Sequence, residues 1–90
     1  MKKTIITVLG KDKVGIIAKV CVYLSQNNVN ILDIAQTIVD GYFNMMMVVD
    51  ISEASKDQER INEELVDLGK EIGVQIRAQS EEIFNMMHRL

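Results

Sequence analysis

Asp12 and Gly15 stand three positions apart where the β-branched run ending Val8-Leu9-Gly10 gives way to a helical pattern. Such a junction can hold a small anion. The first N–H groups of a helix have no intrahelical acceptor, and its amino end carries partial positive charge. A glycine there lets a carboxylate or phosphate approach the backbone, and a nearby aspartate either caps the helix or receives an ammonium group. The same spacing also suits a plain capped loop, since glycines punctuate most loops.

Other chemistry is sparse. His88 is the one histidine, beside Arg89, and no serine or cysteine has a base at a recognisable spacing, so no catalytic residue and no enzyme is expected. Near the carboxyl end of a helix, His88 is expected to interact with the helix dipole. The single Cys21 excludes an intrachain disulfide and reads as a small buried side chain in a reducing cytoplasm. One histidine and one cysteine far apart, with carboxylates outside any calcium-loop pattern, imply neither metal nor cofactor.

The elements that position these residues follow from periodicity. Lys3 to Leu9 is a strand ended by Gly10. Val14, Ile17, Ala18, Cys21 and Leu24 recur at three and four, predicting a helix to about Asn27, with Asn28 or Asn30 as its left-handed exit. Ile16, Val20 and Tyr23 then fall on its less committed side, as apolar surface for two subunits to share. Leu32 to Val39 and Tyr42 to Ile51 are strands joined by Asp40-Gly41, a dipeptide suited to a tight hairpin.

Ser55-Lys56-Asp57-Gln58 matches a capping box before a helix with Ile61, Leu65, Leu68 and Ile72 on one face, ended by Gly73. Val74 to Gln79 is a fourth strand, and Ser80-Glu81-Glu82 caps a terminal helix carrying Ile83, Phe84, Met87 and Leu90. The order predicts an α+β fold: a ferredoxin-like βαββαβ sandwich, a four-stranded antiparallel sheet with two helices on one face, plus a short C-terminal helix. Residues 1–90 form one domain, with core 3–80 and terminal helix 81–90.

In the third strand Phe43, Met45, Met47, Val49 and Ile51 suit the core. Tyr42, Asn44, Met46, Val48 and Asp50 take the open face. That face and the terminal helix, itself too short to stand alone, must dock on something, in the same chain or a partner. Met46 and Met86 are the candidate interface methionines.

Composition narrows the partners. Ninety residues, 48% hydrophobic with net charge -3, bury only about 60 to 65% of the unfolded surface, which favours oligomerisation. The acidic balance argues against nucleic acid. The element order is shared with RNA-recognition motifs and Tyr42-Phe43 lies on the right strand, but further aromatics and basic residues are missing. Met1-Lys2-Lys3 and the following apolar run are interrupted by threonines, so they read as a strand and not a signal peptide, and no stretch is long enough to span a membrane.

Lys11-Asp12-Lys13-Val14-Gly15-Ile16-Ile17-Ala18-Lys19-Val20, followed by Leu24 and Asn27-Asn28-Val29-Asn30-Ile31, resembles the ACT domain, a regulatory module that senses amino acids. With Asp33-Ile34, Gln36-Thr37, Asp40-Gly41-Tyr42-Phe43 and the Phe84-Asn85-Met86-Met87-His88-Arg89 tail, the chain is similar to stand-alone bacterial ACT proteins of the UPF0237 type.

The resemblance implies a homo-oligomer, a dimer, with an amino acid or similar small zwitterion bound between chains. Asp12, Val14 and Gly15 would line a backbone cradle on one chain, faced by Asn30 and Asp33 of its neighbour. The family often has proline where this chain has Val14, which retains an N–H. From the residues alone, Asn30 is equally a turn residue and Asp33 a solvated edge carboxylate. The expected function is regulation by change of quaternary arrangement or partner binding. The alternative is a structural or protein-interaction module with a degenerate site, binding a protein through the sheet face and terminal helix, with RNA binding a more distant reading.

Overall fold

The computed structural model describes residues 1–11 and 14–88. Its elements are β1 (Lys3–Lys11), α1 (Ile16–Gln26), β2 (Asn30–Val39), β3 (Tyr42–Asp50), α2 (Gln58–Ile72), β4 (Gln75–Ser80) and α3 (Glu81–Met87). The strands form one antiparallel sheet in the order β2-β3-β1-β4. This is the α+β sandwich that the pattern predicts.

One face of the sheet is sealed by α1 and α2. Ile6 and Val8 of β1 and Phe43, Met45, Met47 and Val49 of β3 join Ile16, Val20 and Leu24 of α1 and Ile61 and Leu65 of α2 in a single buried cluster. Alternation along β3 places its two residue sets as expected, with Met45 and Met47 buried and Met46 exposed. The hairpin also holds, since Asp40 and Gly41 take φ 53 and 80, the positive angles of a tight two-residue turn. Asn28, at φ 58, supplies the left-handed exit from α1, leaving Asn30 to begin β2.

Three local expectations are corrected. Strand β1 does not stop at Gly10; Gly10 and Lys11 continue the ladder opposite Phe43 and Tyr42. The glycine is there for contact, because a Cβ would lie 2.7 Å from Cγ1 of Val74. The buried side of α1 is Ile16, Val20 and Leu24, with Val14 and Ala18 exposed and Cys21 half-buried. The segment is apolar almost all round, so two phases fit the spacing, and Ile16 and Val20 belong to the core instead of a subunit contact.

The cap of α2 is Asp57, whose Oδ1 accepts the Arg60 N–H at 2.9 Å. Gln58 is drawn inward: its Oε1 accepts from the Thr4 hydroxyl and its Nε2 donates to the Ala78 carbonyl at 2.9 Å. Ser55 donates to the Asn27 carbonyl instead of forming a capping box.

At α3, the Ser80 hydroxyl accepts the Ile83 N–H, and His88 ends the helix with its N–H on the Phe84 carbonyl. The His88 ring stacks on Phe84, and its Nδ1 lies 2.8 Å from that same carbonyl. Helix α3 contacts β1 and β4. Arg89 and Leu90, included in the expected terminal helix, lie outside the described residues. No described helix is long and apolar enough to cross a membrane.

Candidate functional site

Gly15 is the N-cap of α1 and adopts φ 89, ψ 0, the left-handed conformation that glycine takes without strain. Among the described residues, nothing lies within 4 Å of a Cβ placed at this position. Lys19 is the first residue to return an N–H to the Gly15 carbonyl, at 3.0 Å. The N–H groups of Ile16, Ile17 and Ala18 therefore precede the helical ladder. Gly15 has no side chain to cap them, and α1 has no acidic residue in its first turn, whereas α2 and α3 are capped by Asp57 and Ser80. Val14 is fully exposed and offers this cradle only its backbone. Asp12 lies outside the described residues.

Asn30 and Asp33 are exposed on β2, opposite Asp50 and Val48 of β3. A β-bulge between Ile31 and Asp33 inserts Leu32 there, and Asp33 Oδ1 accepts the N–H of Ile34 at 2.9 Å. Its other carboxylate oxygen retains its lone pairs. Asp50, beside Asn30, is otherwise engaged: hydrogen bonds from the Ser52 hydroxyl and N–H, then from the Lys2 N–H, hold its carboxyl below the usual range.

Within one protomer these residues do not converge. Gly15 follows the end of β1 that pairs with Tyr42, beside the hairpin, while Asn30 and Asp33 lie toward the end that pairs with Asp50 and Lys3. Helix α1 spans the distance between them, about 16 Å for its eleven residues. Among the described residues, clefts lie between α1 and α2 at Val22, Tyr23 and Leu68, around Lys2, Thr4 and Ser80, and at Leu9, Gly10 and Tyr42, and Gly15, Asn30 and Asp33 line none of these three.

The two sheet edges differ sharply. On β4, the Ala78 carbonyl accepts from Gln58 and the Ala78 N–H donates to Asn62 Oδ1 at 2.8 Å, so side chains of α2 occupy that edge at Ala78. On β2 all ten residues are exposed, with Ile31, Ile34 and Ile38 on the helix side and Ala35 and Val39 on the other. A ten-residue apolar edge strand is a template for another chain. The apolar residues on both sides of β2 were its sequence signal, obscured because they read equally as a strand buried within one chain.

The ionic cluster on the helical layer serves packing. Tyr23 donates its hydroxyl to Glu64 at 2.7 Å, and Lys56 and Arg60 reach the same carboxylate at 2.6 and 3.1 Å. Hydrogen bonds from Lys56 and then Tyr23 hold the Glu64 carboxyl low, while burial and then Glu64 push the Tyr23 phenol up. Among the described residues no three His, Cys, Asp or Glu side chains are grouped to hold a metal ion.

Comparison with known proteins agrees with this geometry. A family model described as ACT domain matches residues 2–79. A UPF0237 protein of Bifidobacterium longum is 64% identical over 90 residues, covering 100% of both chains. A UPF0237 protein of Methanocaldococcus jannaschii is 47% identical with the same full coverage, which extends the group beyond bacteria to archaea. The solved structure of an ACT domain protein from Streptococcus pneumoniae superposes with a TM-score of 0.81 at 43% identity, covering 92% of this chain and 93% of that one. The chain belongs to the ACT domain family, whose fold is a regulatory, small-ligand-binding one.

Proposed function

We infer that this protein is a cytoplasmic regulatory module that binds an amino acid or similar small zwitterion between two copies of the chain. The observation that carries this reading is the open β2 edge, with the two halves of the candidate site at its opposite ends. A two-fold axis that pairs β2 antiparallel with its counterpart brings Asn30 and Asp33 of one copy toward Gly15 of the other. The ligand carboxylate then meets the leading N–H groups of α1, and its ammonium meets the Asp33 carboxylate across the interface.

Regulation follows from differential binding. A ligand held by both copies stabilises the paired arrangement over the separated one, and that arrangement is what a downstream protein reads. The ACT fold as a regulatory ligand-binding fold, the left-handed Gly15 ahead of the uncapped first turn of α1 and the single free Cys21 all support this reading.

The test is a thermal-unfolding screen of the purified chain against each common amino acid at millimolar concentration. A selective rise in midpoint with one or two of them names the input. A folded, dimeric protein that none of them shifts rejects amino-acid sensing.

A further inference from the structure

Helix α1 carries a single charged residue, Lys19, although it lies on the outside of the molecule. A helix that is apolar nearly all round is expected to be covered on more than one side. The core takes Ile16, Val20 and Leu24. On the outward side Ala18 and Val22 stay exposed, Val22 at 53%.

These two residues border the cleft of about 340 Å³ between α1 and α2, which is lined by Tyr23, Val22 and Ala18 of α1 and Leu68 of α2, with Lys19 and Gln26 beside them. From Ala18 to Gln26 the cleft follows α1 for about 12 Å, a little over two turns. It is open to solvent, whereas small ligands are held by enclosure. An open apolar groove of this kind receives a helix, through side chains spaced at i, i+3, i+4 and i+7. The Tyr23 hydroxyl, donating to Glu64 at 2.7 Å, ties the two walls together, so the groove is already formed before anything enters it.

The α2 wall is acidic, since that helix has five carboxylates against two cations. Glu64, Asp67 and Glu71 follow the Leu68 side at spacings of three and four. Glu64 is already paired with Lys56 and Arg60. Asp67 and Glu71 are exposed and form no hydrogen bond or ion pair with any described residue. The groove therefore has an apolar floor, one wall with two free carboxylates and an opposite wall with the lone Lys19.

We propose that this groove docks an amphipathic helix of another protein, with an apolar stripe on the floor and a lysine- or arginine-bearing flank turned toward Asp67 and Glu71. Charge selects this occupant. Lys19 on the α1 wall disfavours a basic residue there, so the two walls also fix which flank faces which helix. A second copy of the chain does not qualify, because α1 offers one cation, α2 is acidic and α3 has Glu81 and Glu82 with no base. Entering this groove, α2 or α3 would set carboxylate against carboxylate. The groove shares no residue with Gly15, Asn30 or Asp33, and the proposal does not rest on the ligand reading.

The probe is a helical peptide of about 15 residues with leucines at i, i+3, i+4 and i+7, made in a lysine-flanked and a glutamate-flanked form. Fluorescence anisotropy reads its binding to the full chain, and amide chemical shifts read the place. The lysine form should bind saturably and about tenfold more tightly than the glutamate form, with shifts centred on Ala18, Val22 and Leu68. Val22→Glu should remove that binding. Joint replacement Asp67→Lys and Glu71→Lys should reverse the preference between the two peptides, and since both positions are exposed the circular dichroism should not change. Equal affinities, no saturable binding of the lysine form, shifts confined to the sheet face or a preference that survives the joint replacement would each overturn the proposal.

Discussion

Replacing Gly15 by alanine and by asparagine separates the cost of the backbone from the use of the space beside it. At φ 89 any residue with a Cβ is strained, by about 1–2 kcal/mol for alanine and less for asparagine, which visits the left-handed region more readily. No clash with the described residues adds to this, since none of them lies within 4 Å of the new Cβ. For a chain of this size 1 kcal/mol moves Tm by about 4–8 °C, so Gly15→Ala should lower it by roughly 5–15 °C and Gly15→Asn by less. A ligand at about 100 times its Kd adds roughly 2.7 kcal/mol to the unsubstituted protein, or about 10–20 °C. Both substitutions put a side chain where the carboxylate must approach, so both should abolish that rise. Calorimetry or circular dichroism with and without the amino acid reads both effects. An asparagine variant with the full ligand shift would move the carboxylate away from Gly15, and an alanine variant as stable as the original would mean residue 15 is not held left-handed.

Asp57→Ala removes the side-chain cap of α2 and should cost about 1 kcal/mol by urea unfolding, with Asp57→Asn costing less. Leu65→Ala opens a cavity at a fully buried position and should cost about 2–5 kcal/mol in the same assay. The Tyr23 phenol has a folded pKa above its unfolded value, near 10, so its contribution is complete below pH 10 and falls as pH rises beyond it. Stability measured from pH 9 to 11 should therefore decline more steeply in the unsubstituted protein than in Tyr23→Phe, and parallel curves would refute the upward shift that burial and then Glu64 impose on the phenol.

The elements were legible where a residue type leaves one conformational option. Asp40-Gly41 demanded a tight hairpin, Ser80 before two glutamates demanded a helix start, and the alternation of β3 sorted its methionines correctly. Errors came where two solutions satisfied the same rule. Helix α1 is apolar nearly all round, so spacing could not choose its buried side, and the choice fell to the packing of Ile16, Val20 and Leu24 against β3 and α2. Gly10 reads locally as a strand breaker, whereas its reason is Val74, sixty-four positions away. Gln58 matched the third position of a capping box, but the Ala78 carbonyl and Thr4 hydroxyl, both distant in sequence, are its partners.

The same locality explains why a single chain shows only part of the candidate site. Asp12-x-x-Gly15 and Asn30-x-x-Asp33 look adjacent in sequence because one helix separates them, yet that helix carries the chain from one end of the sheet to the other. In the proposed arrangement such a pair meets around a ligand when another chain reverses direction beside the first, at the exposed β2 edge. On the β4 edge the Ala78 N–H and carbonyl are taken by Asn62 and Gln58, and the two helices cover the core face of the sheet. On the proposed reading, a module built this way holds only part of its ligand site as a monomer. Ligand binding and assembly then become one equilibrium, and the apparent affinity for the amino acid should rise with protein concentration until pairing saturates.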